Sequence, residues 1–214
     1  MPLLNESAVA QLLIEHLHGL NAEQIIIVDG GSDDNTVELL GQAGFQVISS
    51  SAGRATQMNT GAQHATQSQM LFLHADSRLP SDYKAELAKA NVWGRFNVQF
   101  DHPAIPLKVI AFCMNWRSRL SAVATGDQAI FIDSMVFRSV GGFPDIPIME
   151  DVALCKRLRP LCAPFCSKAR VTTSARRWLQ YGIIKTVLTM WWYRLVYFLG
   201  VPPSVIKKGY DDVR

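Results

Sequence analysis

Two short apolar runs, each followed at once by polar and charged residues, constrain the fold more than any other feature of this chain. The run QIIIV (residues 24–28) precedes Asp29, and the run QMLFL (residues 69–73) precedes His74 and Asp76. Such runs are typical of strands that are buried on both faces, as in parallel sheets covered by helices. Helical patterns separate them, and this alternation predicts an α/β fold with a doubly wound, mostly parallel sheet.

The carboxylates lie where the carboxyl ends of parallel strands would meet, and open α/β sheets bind their ligands at that edge. A later pair, Glu150-Asp151, opens the helical pattern MEDVALCKRLRP and offers a general base. The three segments in this order indicate an enzyme that acts on a nucleotide diphosphate.

Periodicity and breaker residues predict the remaining elements. The predicted helices cover residues 7–20, 36–43, 54–67, 81–90 (capped by Ser81), 106–120 and 149–158, and the predicted strands cover 24–28, 45–49, 69–73, 92–100, 129–133 and 168–173.

Charge divides the 214-residue chain into two unequal parts. Residues 168–214 contain nine basic and two acidic residues, a net charge of +7, which leaves −4 on residues 1–167. The length suits one domain with a short appendage. The four cysteines form no CxxC pair and follow no signal-peptide pattern, which favours reduced thiols and a cytoplasmic location.

The basic tail is also rich in aromatic residues, which are Trp178, Tyr181, Trp191, Trp192 and Tyr193 next to Arg176 and Arg177. Its apolar stretch, residues 183–199, contains Lys185 and Arg194 and is shorter than the ~20 residues that a membrane span needs. The pattern favours a helix that lies on a membrane surface or meets a lipid-phosphate acceptor. Packing over the sheet is an equal alternative, and the acidic body disfavours nucleic acid as a partner.

Several blocks of the sequence resemble glycosyltransferase family 2, a group of nucleotide-sugar enzymes with the GT-A fold, and in particular a bacterial subgroup of small, single-domain members. The blocks are Pro2-Leu3-Leu4-Asn5-Glu6, IIIVDGGSDDNT, GRATQMNTGAQHA, LFLHAD, TGDQAIF and GGFPDIPIMEDVALCKRLR. The resemblance implies a catalytic domain over residues 1–172 and a helical tail over 173–214. It also implies a nucleotide-sugar donor, Mn²⁺ or Mg²⁺ as cofactor, and inversion at the anomeric carbon.

The resemblance assigns the donor side of the site. Pro2, Asn5, Glu6 and Asp29 match positions that contact the nucleoside, although Asn5 could instead cap a helix and Asp29 could shape a turn. Arg54, between Gly53 and a predicted helix, suits a diphosphate, with a solvated surface arginine as the alternative.

The metal positions depart from the family pattern in one place. Asp76 matches the last carboxylate of a DxD motif, whereas His74 occupies the position of the first one. His74 is therefore a metal ligand, a phosphate contact or a structural histidine, and imidazole seldom suits cations that prefer oxygen.

The resemblance makes Asp151 the catalytic base, with Glu150 orienting it or the acceptor. Capping of the helix dipole would explain one acidic residue here but does not require a pair. Asp127 and Gln128, together with Arg117 and Arg119, match the acceptor side; the two arginines could also form an ordinary basic helix face.

Together with the resemblance, these residues predict an inverting glycosyltransferase that is cytoplasmic and peripheral on the inner face of the membrane. Its acceptor is unidentified, and a lipid-linked acceptor is one candidate. A nucleotidyltransferase is the alternative enzyme, although no Gly-rich, basic loop follows the first strand. A non-catalytic nucleotide-sugar or membrane-surface binding module is the alternative outside catalysis.

One expected strand has no counterpart in the sequence. Family members open with an apolar strand before the Pro-x-x-Asn-Glu loop, whereas Pro2 follows Met1 directly. We therefore expect the usual first strand to be missing, either because the start lies upstream or because the protein is a degenerate member. Its absence would leave strands 24–28 and 69–73 short of ladder partners.

Overall fold

Two sheets organise residues 1–211, which are the residues that the structure, a computed structural model, describes. The first sheet is parallel and has the order β1-β2-β3, with strands Pro2–Leu3, Ile27–Asp29 and Val47–Ser49. The second has the order β4-β7-β6-β8-β5, with β4 at Gln69–Leu71, β5 at Ser77–Arg78, β6 at Trp93–Phe100, β7 at Phe131–Asp133 and β8 at Phe165–Thr173.

Ten α-helices occur in the described part of the chain. They are α1 Ala10–Gly19, α2 Thr36–Gln42, α3 Arg54–His64, α4 Tyr83–Leu87, α5 Ile105–Ser121, α6 Ser134–Ser139, α7 Glu150–Leu158, α8 Arg176–Tyr181, α9 Ile183–Phe198 and α10 Pro203–Asp211. Short 3₁₀ turns at Ser7–Val9 and Gly126–Gln128 complete the list.

The predicted α/β class is confirmed, and the second sheet adds a feature that the alternation of elements did not indicate. β7 runs antiparallel to both β4 and β6, and only β6 and β8 form a parallel pair there, while β5 runs antiparallel to β8. One local prediction is wrong: α4 begins after Asp82, so Ser81 is not its cap.

The prediction that the usual first strand is missing holds except for a two-residue remnant, and within residues 1–211 no strand pairs with both β2 and β4. Pro2 and Leu3 form β1, which pairs with Val28 and Asp29 of β2. β1 has only two residues, and β2 and β4 are shorter than the runs that predict them. Next to Met1, a cavity of about 110 Å³ lies between Ile26 and Met70, in the region where the missing partner was expected.

The second sheet is covered on both faces at β7, where adjacent residues are both buried. Ile132 of β7 belongs to the core cluster that includes Leu154 of α7, whereas its neighbour Phe131 belongs to the opposite cluster with Phe96 and Tyr83. Adjacent residues of a strand point to opposite faces, so each core cluster fixes one face of the sheet.

The tail packs against the body through α5. Leu107, Ala175 and Trp178 form a buried cluster, and the Trp178 ring lies 5.4 Å from the Phe100 ring at 72°. No helix within residues 1–211 combines the length and the hydropathy that a bilayer crossing requires. The division of the chain at residue 172 stays a prediction.

Candidate active site

Two adjoining cavities, of about 220 and 300 Å³, form one cleft. The residues that line both of them are Glu6, Arg54, His74, Asp76, Ile148 and Glu150. The loops that follow β1 and β4, the start of α3 and the segment at the start of α7 supply these side chains, so segments that are distant in the sequence meet here.

The larger cavity is lined on one side by residues 2–4 and on the other by Gly53 and Gln57. Gln57 is buried on α3, where its Nε2 donates hydrogen bonds to the carbonyl oxygens of Leu3 (2.6 Å) and Val28 (2.9 Å). A Cβ at Gly30 would lie 3.0 Å from the Gln57 amide, so glycine at this position leaves space for the glutamine. The sequence reasoning missed Gln57 because both of its partners are remote in the chain.

Asp29 and Asn5 have a different environment from the one predicted. The Asp29 carboxylate accepts hydrogen bonds from the Gly31 and Ser32 amides and from the Ser32 hydroxyl, and thereby shapes the loop after β2. Asn5 Oδ1 accepts a bond from the Asp33 amide and joins the two loops. Neither residue is among the described residues that line the cleft, and their nucleoside contact stays a prediction.

Carboxylates crowd the smaller cavity, namely Glu6, Asp76, Asp127, Glu150 and Asp151. Burial, and then the charge of Asp151, raises the pKa of Glu150 to about 7. Burial also raises the pKa of Asp127, against the opposing effect of His74, and raises the pKa of Glu6 against that of Arg176. Burial is therefore the main reason why these three carboxyl groups hold their protons more readily than carboxyl groups in water do.

Asp151 is held in the first turn of α7. Its Oδ2 accepts a hydrogen bond from the Gly126 amide at 3.0 Å, and its Oδ1 accepts one from the Val152 amide at 2.7 Å. Met149, directly before the helix, has a φ of +68°, which is uncommon for a residue other than glycine. This kink aims both carboxylates of the pair at the cleft, and such backbone outliers often occur at functional sites.

His74 lies against the turn that carries Asp127. A Cβ at Gly126 would lie 2.2 Å from His74 Cε1, so only glycine leaves room for the ring. His74 Nδ1 is 3.8 Å from Asp127 Oδ1. Burial, and then the charge of Arg54, lowers the pKa of His74, so this environment disfavours the protonated imidazole.

Of the four residues predicted for the acceptor side, Asp127 lines the smaller cavity. Gln128 is buried and bonds to Thr125 and Asn115, and Arg119 extends to Asn97 Oδ1 at 3.4 Å. Arg117 lies deeper: burial lowers its pKa while the charges of Asp151 and Asp127 oppose that shift. Its Nε and Nη2 have no hydrogen-bond partner within residues 1–211.

The tail supplies basic side chains that the sequence reasoning did not assign to the site. Arg176, Arg177 and Arg194 line the smaller cavity and Lys207 lines the larger one. Arg176 Nη2 lies 3.4 Å from Glu6 Oε2. No local sequence signal connects these residues with the cleft, because the contact depends on how α8 and α9 pack.

A divalent cation fits this chemistry, although the structure holds no preformed cage for one. Within residues 1–211, no three His, Cys, Asp or Glu side chains are grouped as metal ligands. Mg²⁺ is commonly bound by one or two carboxylates together with substrate phosphates. Asp76, which lines both cavities beside Arg54, is the carboxylate placed for such a shared ion.

Comparison with known proteins gives a partial family match. Residues 1–102 match the model of glycosyl transferase family 2. The match covers slightly less than half of the 214-residue chain. Among curated proteins, no sequence matches the chain significantly.

The match to glycosyl transferase family 2 agrees with similar solved structures. A mannosyltransferase from Pyrobaculum calidifontis, in complex with GDP-Man and Mn²⁺, has a TM-score of 0.63 at 16% identity over 80% of this chain and 54% of its own. S. aureus TarS with UDP has a TM-score of 0.62 at 14% identity over 81% of this chain and 58% of its own.

A third structure, glucosyl-3-phosphoglycerate synthase from Mycobacterium tuberculosis with Mn²⁺, UDP and glucosyl-3-phosphoglycerate, has a TM-score of 0.57 at 13% identity. The match covers 80% of this chain and 68% of the synthase. The chain thus spans between about half and two thirds of these proteins, and the similarity confirms the predicted GT-A fold.

Proposed function

We propose that the protein is an inverting glycosyltransferase that transfers a sugar from a nucleotide-diphosphate donor to an acceptor hydroxyl. The observation that carries the proposal is the convergence of Arg54, Asp76, Glu150 and Asp151 on one cleft. The family match of residues 1–102 supports the same reaction class.

The donor would lie along the cleft from the larger to the smaller cavity. Its nucleoside occupies the cavity lined by residues 2–4 and Gly53, and its diphosphate meets Arg54 at the start of α3. Cationic groups at a helix N-terminus suit phosphate oxygens. Asp76 would hold Mn²⁺ or Mg²⁺, which neutralises the charge that develops on the leaving nucleotide; the solved relatives with GDP-Man and Mn²⁺ or with UDP and Mn²⁺ support this cofactor class.

Asp151 would accept the proton of the acceptor hydroxyl as that oxygen attacks the anomeric carbon from the face opposite the nucleotide. Two backbone amides fix the Asp151 carboxylate, so it is oriented before the acceptor binds. Buried Glu150, with its pKa raised to about 7, stays partly protonated and can donate a hydrogen bond to the acceptor or to its neighbour. Direct displacement in one step inverts the anomeric centre.

Calorimetric titration of UDP and GDP, with and without Mn²⁺, tests the donor site. We expect metal-dependent binding of one nucleotide, weakened at least tenfold in Asp76→Asn. Asp82→Asn, which changes an exposed aspartate at the start of α4, is the matched control and should bind as the wild type does. Metal-independent binding, or equal binding by Asp76→Asn, would contradict the role of Asp76.

Donor hydrolysis, in which water replaces the acceptor, tests the base without knowledge of the acceptor. We expect Asp151→Asn to lower hydrolysis by about 10²–10⁴, the usual contribution of a general base, and to bind nucleotide within about twofold of wild type, because the base does not act on the donor. Normal hydrolysis by Asp151→Asn would refute this assignment. A protein that binds the nucleotide sugar and never consumes it would be a binding module.

A further inference from the structure

The outward face of α5 carries a continuous apolar stripe. Its members are Ile105, Val109, Phe112, Trp116 and Leu120, which are between 55% and 75% exposed. Their spacing of three or four residues places them on one side of the helix, opposite the buried Leu107, Ala111 and Met114. The Phe112 and Trp116 rings are nearly parallel, with an angle of 7° between their planes.

A second stripe covers the outward face of α9. It consists of Ile184, Leu188, Trp191, Trp192, Leu195 and Phe198, which are between 52% and 76% exposed. The opposite face of α9 packs on the body, where Ile183, Val187 and Met190 join the cluster around Leu107. α5 and α9 therefore contribute to the same buried cluster, and each directs its own apolar stripe away from it.

We call these eleven side chains the α5–α9 face. Soluble monomers rarely expose large contiguous apolar patches, and patches of this kind mark binding surfaces. Three of the eleven are tryptophans, which are favoured at the boundary between lipid and water because they combine an apolar ring with a polar N–H group.

The charge around the face identifies its partner. Residues 152–210 contain eleven Lys and Arg and no Asp or Glu, and α5 contributes Lys108 and Arg119 without any acidic residue. Exposed Lys185 lies within the α9 segment. Both helices carry basic residues and neither carries an acidic one, and apolar side chains on basic helices match a surface that is apolar inside and anionic outside, which describes a bilayer with acidic lipids.

We propose that the α5–α9 face docks the protein on the surface of an anionic membrane. A second copy of the chain is a poorer occupant, because the pairing of two such faces would bring their basic helices together. Residues 1–211 contain no helix able to cross a bilayer, so the contact is a surface contact.

The α5–α9 face lies close to the cleft, because α9 contributes to both. Met190, Tyr193 and Arg194 of α9 line the smaller cavity, while the other side of the same helix carries the apolar stripe. A membrane that covers the stripe would therefore lie within one helix of the cavity that contains Asp151. This statement, unlike the docking itself, rests on the proposed function.

Co-sedimentation of the full chain with vesicles tests the docking. We expect binding to phosphatidylcholine vesicles that contain 30% phosphatidylglycerol, and at least tenfold weaker binding to pure phosphatidylcholine or at 0.5 M NaCl, since salt screens the charges. Brominated lipids should quench the tryptophan fluorescence of the wild type, because Trp116, Trp191 and Trp192 are exposed whereas Trp93 and Trp178 are buried.

Variants locate the contact. Phe112→Glu/Trp116→Glu on α5 and Trp191→Glu/Trp192→Glu on α9 should each weaken vesicle binding at least tenfold. The matched control, Met135→Glu/Leu12→Glu, adds the same charge at exposed apolar positions of other helices and should change binding less than twofold. Circular dichroism and the melting temperature check the fold of each variant.

Three results would overturn the proposal: no binding to the anionic vesicles, equal loss in the control and face variants, or bound protein without quenching by brominated lipid. A concentration-dependent dimer that the face variants abolish, together with absent vesicle binding, would instead assign the face to a second copy. Because the vesicle assays contain no nucleotide, their outcome is independent of whether the protein transfers sugars.

Discussion

At the residue scale, Glu150 is the group whose ionisation should affect stability most visibly. Its pKa is raised to about 7 in the folded protein, whereas a glutamate in an unfolded chain titrates near 4.3. The folded state therefore binds more protons between these values, and the free energy of unfolding falls as the pH rises through this window. We expect Glu150→Gln to stabilise the ligand-free protein by on the order of 1–3 kcal/mol at pH 8, measured by urea unfolding.

At pH 4.5 the same substitution should change the free energy of unfolding much less, because Glu150 is then protonated in the folded state and roughly half protonated in the unfolded chain, so the two states differ little in bound protons. Glu15→Gln is the control: it changes an exposed glutamate of α1, and its effect should be small at both values of pH. An equal effect of Glu150→Gln at pH 4.5 and pH 8 would mean that packing, and not charge, governs this position.

The residues of the cleft differ in how far the sequence predicts their surroundings. Asp76 and Glu150 line the cleft as expected, because each follows directly from a local signal: the end of an apolar run or the start of a helix. Asp29 shows the same kind of local signal, yet its carboxylate bonds to its own loop. Gln57 gave no signal, since its partners Leu3 and Val28 are more than 25 residues away.

At the scale of elements, periodicity predicts helices well and strand pairing poorly. The run at residues 129–133 was predicted as a strand, and β7 forms there, but its antiparallel pairing with β4 and β6 depends on contacts that one sequence does not display. β2 is shorter than its apolar run because a ladder needs a partner, and β1 provides only two residues, while β4 pairs with β7 alone.

Gly94 of β6 lies where the neighbouring strands leave no space for a side chain. A Cβ there would lie 2.6 Å from the Phe131 ring and 2.7 Å from the Phe165 carbonyl oxygen. Overpacking of a well-packed core typically costs about 1–3 kcal/mol. We expect Gly94→Ala to lower the free energy of unfolding by that amount, as measured in urea.

Gly41→Ala is a control of opposite sign. Gly41 lies in α2 with no atom near its Cα on the side that a Cβ would occupy, and alanine is favoured over glycine in helices by up to about 1 kcal/mol. This substitution should raise the free energy of unfolding by a few tenths of about 1 kcal/mol. If Gly94→Ala instead raised the free energy of unfolding, the prediction would be wrong. The strands β6, β7 and β8 would then be able to move apart to accept the methyl group.

At the scale of the whole molecule, the tail was predicted as a separate segment with its own partner. Its basic and aromatic composition is visible in the sequence, but its place at the cleft is not. Arg176 reaches Glu6 across 170 positions of the chain, and no periodicity reports a contact of that range. The composition therefore predicts either a membrane-facing helix or a helix packed over the sheet, and the fold adds that α9 borders the cleft.

Trp178 tests whether the tail and the body unfold together. The ring is 8% exposed and packs against Phe100 and Leu107, which belong to the body. Truncation of a buried tryptophan typically costs about 3–5 kcal/mol. We expect Trp178→Ala to destabilise the whole chain by about 3 kcal/mol in a single urea transition, and to weaken nucleotide binding, because α8 also places Arg176 and Arg177 in the cleft.

Trp191→Ala is the matched substitution on the same tail. Its ring is 68% exposed, so its removal should change the free energy of unfolding by less than about 0.5 kcal/mol and leave nucleotide binding intact. A tail that folds independently would respond differently, since Trp178→Ala would then leave the main transition at its wild-type position and add a second, weaker one. One shared transition, shifted by Trp178→Ala alone, would make residues 173–211 part of the catalytic domain and move its boundary beyond residue 172.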